Sequence, residues 1–400
     1  MSKNFSILYL VLIFNSIIAY SQADKTYPSK ESRKQFYSQL ATKYNSKSIQ
    51  EIWKSDTKFT FDEYVDGKAE KDLIKDYSTV IHELLHGYNQ TENDGHTYFI
   101  ENGIRIHVPF TDVYNSKELN KVVRKSLQDS IFRYGLYVGG KSDLPGLGHV
   151  KGINDSKKNE VMSIQLGIYG LLEEFSAYYF GDLAAYELYD YYLAKFPKSD
   201  KDSWASYYDE AKSDLVAYYE FQFFIATYLT YAKEKHQNMY ADFHKNKHLK
   251  VVYSLIQDKY ERLGQKIDAK FLENADNVEV NELFNLDFSG SDDDLIRFLE
   301  MAGMEAEDIY EIKTSKVNGK TVSTKKIILD EEDLKDIKAE YSELAKQMNK
   351  QQDSQELMYF GNFDLQIEFL KKQITPKLQD ELNKLKIVGV TSSNYTDFLK

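Results

Sequence analysis

The sequence predicts an α+β protein that is predominantly helical, and two kinds of pattern support this prediction. Apolar residues recur at three- and four-residue spacing over long stretches, which is typical of amphipathic helices. The pairs Asn102-Gly103 and Asn318-Gly319 indicate two β-hairpins. Helices are expected near residues 29–41, 68–87, 116–134, 161–196, 204–236, 249–272, 331–351 and 356–386, and a short strand at 58–61.

Composition and charge exclude several classes of protein. The chain has 400 residues and no cysteine, which excludes a disulfide framework, a cysteine metal ligand and a cysteine nucleophile. Its net charge of −12 argues against nucleic acid and anionic membrane surfaces as partners.

The N-terminus has the pattern of a secretory signal peptide at residues 1–21. Lys3 precedes an apolar run at 5–18, and Ala19-Tyr20-Ser21 provides a small-x-small cleavage pattern. The run is too short to span a membrane comfortably, although an uncleaved anchor is the alternative. There is no lipoprotein cysteine and no other long apolar run. We therefore expect a secreted or periplasmic protein without stable membrane insertion after cleavage.

An H-E-x-x-H motif, His82-Glu83-Leu84-Leu85-His86, lies in the helix expected at 68–87. Residues four apart share one face of a helix, so both imidazoles can aim a nitrogen at a point about 2 Å away, the distance at which Zn²⁺ binds nitrogen. Glu83 lies one position round from His82, where it can take a proton from a metal-activated water without being a ligand. The motif predicts a Zn²⁺ site, and two surface histidines with an incidental glutamate are the alternative.

A zinc held by this motif needs a third protein ligand. A Gly and a His three and six residues beyond His86 would be one solution, but those positions hold Asn89 and Glu92. A glutamate on the helix at 161–196 is the other solution, with Glu173 and Glu174 as candidates. The face of Glu174 carries small residues, which let another helix approach closely. Those residues are Gly167, Gly170, Ala177 and Gly181. This geometry favours Glu174, and Glu173 on its bulkier face is the alternative.

The combination of His82-Glu83-x-x-His86 with a downstream Glu174-Phe175-Ser176-Ala177 resembles gluzincin-type zinc metallopeptidases, the group that includes thermolysin-like enzymes. The resemblance covers only these two helices. It implies a zincin-like catalytic domain with the metal site between two helices, in which His82, His86 and Glu174 bind Zn²⁺ and Glu83 is the general base. Glu173 and Tyr178 replace an Asn and an Asp that are common in the family, so the partner that orients a ligand histidine is unidentified.

Gluzincins usually supply a Tyr or a His to the oxyanion that develops during hydrolysis. Tyr169, Tyr178, His107 and His149 are the candidates in this chain, and a structural role is the alternative for each of them. His149 lies in a glycine-rich stretch at 138–152, whose composition predicts a loop. Such a loop is either a lid over the cleft or a surface loop without a role.

The hairpin expected at 96–110 has one apolar and one polar face. Ile104, Ile106 and Val108 alternate with Arg105 and His107 in its second run. Beside the metal helix, such a hairpin would offer a sheet edge onto which an extended peptide could add. A purely structural hairpin fits the same pattern.

The sequence therefore predicts three regions and one leading function. Residues 1–21 are the signal peptide, 22–285 the zincin-like catalytic domain, and 286–400 a mostly helical C-terminal region with a β-hairpin, which opens with an acidic linker at 287–294. The leading hypothesis is a secreted zinc-dependent metallopeptidase acting on a peptide or protein substrate. A secreted binding protein with a structural zinc site and a zinc hydrolase of a non-peptide amide are the alternatives.

Overall fold

The computed structural model of the chain describes residues 25–58, 60–65, 67–139, 162–197, 200–275, 309–317, 320–329, 335 and 363–400. The expected signal peptide, the acidic linker, His149 and nearly all of the helix expected at 331–351 lie outside these residues. Within the described part of the chain, no helix combines the length and the apolar character needed to cross a membrane.

The prediction of a predominantly helical α+β protein is confirmed. The helices are α1 (Lys30–Tyr44), α2 (Lys47–Ser55), α3 (Glu70–Lys75), α4 (Tyr77–Tyr88), α5 (Lys125–Ser130), α6 (Met162–Gln165), α7 (Ile168–Glu187), α8 (Tyr189–Lys195), α9 (Lys201–Lys235), α10 (Gln237–Lys245), α11 (Lys247–Ala275), α12 (Phe363–Gln373), α13 (Pro376–Leu385) and α14 (Tyr395–Leu399). The strands are β1 (Gln90–Thr91), β2 (Gly95–Glu101), β3 (Ile104–Pro109), β4 (Tyr310–Val317) and β5 (Lys320–Ile327).

Helix α7 lies at the centre of the packing. It contacts α4 on one side and α9 and α11 on others, and sixteen of its twenty residues are buried. A helix that is apolar on nearly all sides is a core helix, so the sequence of α7 suits this position. Buried tyrosines fill much of the space around it, among them Tyr77, Tyr98 and Tyr228. The helix that carries the H-E-x-x-H motif and the helix that carries Glu174 therefore pack directly against each other.

Both predicted hairpins are confirmed. Strands β2 and β3 pair antiparallel around Asn102-Gly103, where Gly103 has a φ of 77°. A left-handed φ of this kind is the reason that glycine follows asparagine in such a turn. Strand β1, which no sequence pattern indicated, adds to the other edge of β2. Strands β4 and β5 pair antiparallel from Tyr310↔Ile327 to Val317↔Lys320.

Several of the predicted elements differ in the structure. The helix expected at 68–87 is divided into α3 and α4, and the described part of the helix expected at 356–386 is divided into α12 and α13, the second of which begins at Pro376. The strand expected at 58–61 is instead a 3₁₀-helix, Thr60–Tyr64, because the carboxylate of Asp56 accepts hydrogen bonds from the backbone N–H groups of Thr60 and Phe61 and caps a helical turn. The single helix expected at 116–134 is a 3₁₀-helix, Ser116–Lys121, followed by α5. A π-helical turn, Gly135–Gly139, comes next.

The long helix expected at 161–196 is divided into α6, α7 and α8, and Gly167 causes the first division. Gly167 has a φ of 56°, a left-handed conformation that side chains with a Cβ rarely adopt. A Cβ at this position would also lie 2.8 Å from the carbonyl oxygen of Tyr114 and would overlap the hydroxyl of Tyr228. Gly167 therefore fixes the point at which α7 begins.

We predict that Gly167→Ala lowers the free energy of unfolding by about 2 to 4 kcal/mol. The new Cβ strains the left-handed backbone and also clashes with Tyr114 and Tyr228. Gly87→Ala is the matched control, since a Cβ at Gly87, within α4, meets nothing within 4 Å. It should be neutral or stabilising by up to about 1 kcal/mol. Urea denaturation of both variants tests this, and equal effects would contradict the role of Gly167.

The C-terminal helices α12 and α13 pack against α9, and Glu381 is the polar anchor of this contact. Glu381 is 1% exposed and accepts hydrogen bonds from Lys233 at 2.8 Å, Tyr240 at 2.6 Å and Lys384 at 3.1 Å. Burial alone would raise the pKa of Glu381, but these donors outweigh it and lower the pKa to about 2.

A carboxyl whose pKa falls on folding stabilises the protein above its unfolded pKa of about 4.5, and this contribution is lost as the pH falls towards 2. We therefore predict that Glu381→Gln lowers the free energy of unfolding by about 1 to 2 kcal/mol at pH 7, a figure reduced for the solvent access of the lysines. The difference from the wild type should shrink below pH 4.5 in urea titrations between pH 3 and pH 7. The exposed control Asp397→Asn should change stability little at any pH, and a pH-independent effect of Glu381→Gln would contradict the prediction.

Candidate metal centre

Helix α4 brings the two motif histidines together. Because His82 and His86 are one helical turn apart, their side chains lie on the same face. Their Nε2 atoms are 3.0 Å apart. His82 is 7% exposed and His86 is half-buried, so the pair lies where the core meets the surface.

Helix α7 supplies the third donor, and this donor is Glu174. Its Oε2 atom lies 3.6 Å from His82 Nε2 and 3.5 Å from His86 Nε2. His82, His86 and Glu174 are the one group of three or more candidate ligands found in the described part of the chain. The small residues on its face of the helix favour Glu174 over Glu173 in the sequence, and the distances in the structure agree with that choice.

The three donors have the spacing of a metal site. With bonds of about 2.0 to 2.1 Å, the ligands of a tetrahedral Zn²⁺ stand about 3.3 Å apart. The three distances of 3.0, 3.5 and 3.6 Å bracket this value. Glu174 Oε2 is also buried without a hydrogen-bond partner among the described residues. A buried carboxylate oxygen is costly to leave unmatched, so the donor set fits a bound cation.

Glu173, the alternative ligand, has a different position. Its carboxylate accepts a hydrogen bond from His86 Nδ1, with distances of 2.8 Å to Oε1 and 2.7 Å to Oε2. A hydrogen bond at Nδ1 fixes the tautomer and orientation of the ring and leaves Nε2 facing the other two donors. Glu173 is thus the orienting partner that the sequence pattern left unidentified.

Asn89 connects this pair to the sheet. Its side-chain amide lies 3.4 Å from Glu173 Oε1, and its Oδ1 accepts a hydrogen bond of 2.8 Å from the backbone N–H of Phe99 in β2. Asn89 is the residue immediately after α4. The Asn89 side chain therefore connects the end of α4 to the carboxylate of Glu173 and to the first hairpin.

The electrostatics of the site reflect two buried carboxylates beside one imidazole. Burial alone would lower the pKa of His86, but Glu173 and Glu174 raise it to about 10. Burial raises the pKa of Glu174 to about 7, although His86 opposes this shift. Burial would also raise the pKa of Glu173, yet its ion pair with His86 lowers it. Glu173 is therefore the carboxylate held in the charged form by the protein itself.

Glu83 directly follows His82 in α4, between the two motif histidines, and is half-buried. Within the described residues it makes no hydrogen bond or ion pair. Its charge contributes to a raised pKa of Tyr64, after the larger effect of burial. A carboxylate that is partly exposed and not engaged by the protein is available to a water molecule.

Two tyrosines form the other wall of the site. The ring of Tyr178 contacts the ring of His82 edge-on at 4.5 Å, and its hydroxyl lies 2.9 Å from that of Tyr137. A hydrogen bond from Tyr137 lowers the pKa of Glu174 against the effect of burial. On its outer side, Tyr178 stacks under the guanidinium of Arg133 at 4.6 Å, and Arg133 pairs with the fully buried Glu220 at 2.9 Å.

Of the four candidate oxyanion donors, Tyr178 is the one in contact with a metal-site residue in the described structure. The Tyr169 hydroxyl instead accepts a hydrogen bond of 2.9 Å from the backbone N–H of Thr111. His107 lies 3.8 Å from Asp94 and 3.2 Å from the Thr97 hydroxyl. Tyr137 was not singled out by its sequence, since nothing in the pattern around it separates it from the other tyrosines.

Comparison with protein-family models, with curated proteins and with solved structures gives no match to this chain. What is shown is therefore a His82–His86–Glu174 group that can hold a metal ion, within a predominantly helical α+β protein.

We predict that Glu173→Gln lowers the affinity for Zn²⁺ by about 10- to 100-fold, because it weakens the hydrogen bond that orients His86. Glu174→Ala removes a ligand and should abolish stoichiometric binding. Competition with a zinc indicator measures both affinities, with Glu92→Gln as an exposed control. Loss of binding in Glu173→Gln together with retention in Glu174→Ala would reverse the two assignments.

Proposed function

We propose that this chain is a secreted zinc-dependent metallopeptidase of the gluzincin type, with a zincin-like catalytic domain. The observation that carries the proposal is the combination of a three-donor group with a neighbouring carboxylate that no protein group engages. Zinc suits two imidazoles and one carboxylate, the donor set of many catalytic zinc sites. When bound, Zn²⁺ would acidify a water and polarise the carbonyl of the scissile bond.

The residues around the donors have separate roles in this proposal. Glu83 takes a proton from the attacking water and delivers it to the leaving amine. Glu173 holds His86 through Nδ1, and Tyr137 holds Glu174 through its carboxylate. Tyr178 is the candidate donor to the oxyanion, because it lies against His82 and its hydroxyl is already within a hydrogen-bonded pair.

A structural zinc site in a secreted binding protein is the first alternative. Structural zinc sites are usually closed by four protein ligands, whereas catalytic sites keep one position open. Three candidate ligands gather in the described part of the chain, and this number favours catalysis.

The remaining alternative differs from a peptidase only in the kind of bond that is cleaved. A zinc hydrolase of a non-peptide amide would use the same donors and the same base. An extended peptide can bind by adding a strand to a sheet edge, and the three-stranded sheet of β1, β2 and β3 begins directly after α4. We therefore favour a peptide or protein substrate. We further propose that the chain is exported, on the pattern of residues 1–21, and that nucleic acid is not a partner.

We predict that Glu83→Gln lowers the rate of peptide hydrolysis by at least about 10²-fold while one Zn²⁺ per chain is retained, because a general base is removed and no ligand is. The substitution keeps the size of the side chain. The measurement is turnover of a quenched peptide library beside metal content by mass spectrometry, with Glu92→Gln as the matched exposed control.

Each result of this experiment has a distinct meaning. Zinc bound without turnover of any peptide by the wild type would favour the structural site or a non-peptide amide, and a panel of small amides then separates these two. Absence of stoichiometric zinc after reconstitution would overturn the proposal. Equal turnover by wild type and Glu83→Gln would remove the assignment of the base.

A further inference from the structure

A groove separate from the metal centre lies between the middle of α9, the segment before α5 and the start of α13. Its volume is about 310 Å³. Pockets that bind small molecules usually begin near this size, so the groove suits a compact ligand. It contains none of the metal-site residues.

One part of the groove is apolar. Val123 and Phe223 are buried, and Leu127 and Leu378 are half-buried along its wall. These side chains come from three elements that are distant in the chain. Together they form an apolar surface against which a short hydrocarbon chain could be buried.

The wall also contains hydroxyl groups that the protein leaves unmatched. Thr227 and Thr230 lie three residues apart on α9, and both line the groove. Neither Oγ1 atom has a hydrogen-bond partner among the described residues, and Thr227 is 8% exposed. Threonine in a helix has two accessible χ1 rotamers, so a rotation exchanges its methyl and hydroxyl positions. A polar ligand atom in the groove could then supply the missing hydrogen bond.

The charges at the rim favour an anion. Lys377 is paired with Glu234 at 2.8 Å, so these two largely cancel. Arg124 is exposed and has no ion pair within the described structure, which leaves one net positive charge. The first turn of α13 lies at the same rim, where Thr375 caps the helix and Pro376 carries no N–H. A helix N-terminus adds to the attraction of a negative group.

We propose that this groove binds a small amphipathic carboxylate, with its apolar body on Leu127, Phe223 and Leu378 and its carboxylate towards Arg124 and the start of α13. The volume lies at the small end of the range for ligand pockets, which favours an acid with a short chain. Both a free fatty acid and the C-terminus of a peptide have this chemistry. The proposal does not depend on the metal site or on the proposed hydrolysis.

The test is calorimetric titration of the full chain with octanoate and with N-acetyl-leucine, which represents a peptide C-terminus. Octanamide is the uncharged control. We expect one site per chain with a Kd of about 0.1 to 1 mM for at least one of the two acids, and binding of octanamide that is at least about tenfold weaker. Preference between the acids identifies the source of the ligand.

Two variants locate the site. Arg124→Ala should weaken binding at least about tenfold, and Leu127→Trp should abolish it by filling the groove. Lys125→Ala is the matched control, because Lys125 is exposed, pairs with Asp129 at 2.7 Å and does not line the groove. Melting curves confirm that each variant is folded. Absence of saturable binding of either acid, equal binding of octanamide, or binding unchanged in folded Arg124→Ala and Leu127→Trp would overturn the proposal.

Discussion

The contact between α4 and α7 is the constraint on which the rest of the site depends. It brings together His86 and Glu173, which are 87 positions apart in the chain. Placing two carboxylates and two imidazoles in one partly buried volume costs several kcal/mol of desolvation for each ion unless the charges are compensated. The ion pair between His86 and Glu173 provides part of this compensation. The unmatched oxygen of Glu174 is the part that the protein alone does not provide.

Two chains of contacts connect this centre to the rest of the fold. One passes from His86 through Glu173 and Asn89 to the backbone of β2. The other passes from Glu174 through Tyr137 and Tyr178 to Arg133 and the buried Glu220 on α9. His86 is thus held by Glu173, and Glu174 is held by Tyr137. Glu173 and Tyr137 are in turn held by contacts to the sheet and to α9. Such support is what keeps ligands in place before a metal arrives.

The sequence predicts the parts of the structure that depend on local chemistry. The H-E-x-x-H motif, both Asn-Gly hairpins and the long apolar helices follow from spacing alone, and face-sharing on α7 selects Glu174. Other features depend on distant contacts. The capping of the turn at Asp56, the break at Gly167 against Tyr228, and the position of Tyr137 beside Glu174 involve partners that periodicity does not reveal. The role of Glu173 required knowing which nitrogen of His86 it reaches.

The left-handed turn at Gly167 has a consequence for the choice of metal ligand. Each residue of an α-helix is rotated by about 100° from the one before it. Because α7 begins at a glycine wedged against Tyr114 and Tyr228, its rotational phase is set there, seven residues before Glu174. Insertion or deletion of one residue in this interval would turn both glutamates away from His82 and His86. A change in the length of this interval would therefore break up the donor group even if α7 remained helical, whereas a substitution within it need only preserve packing.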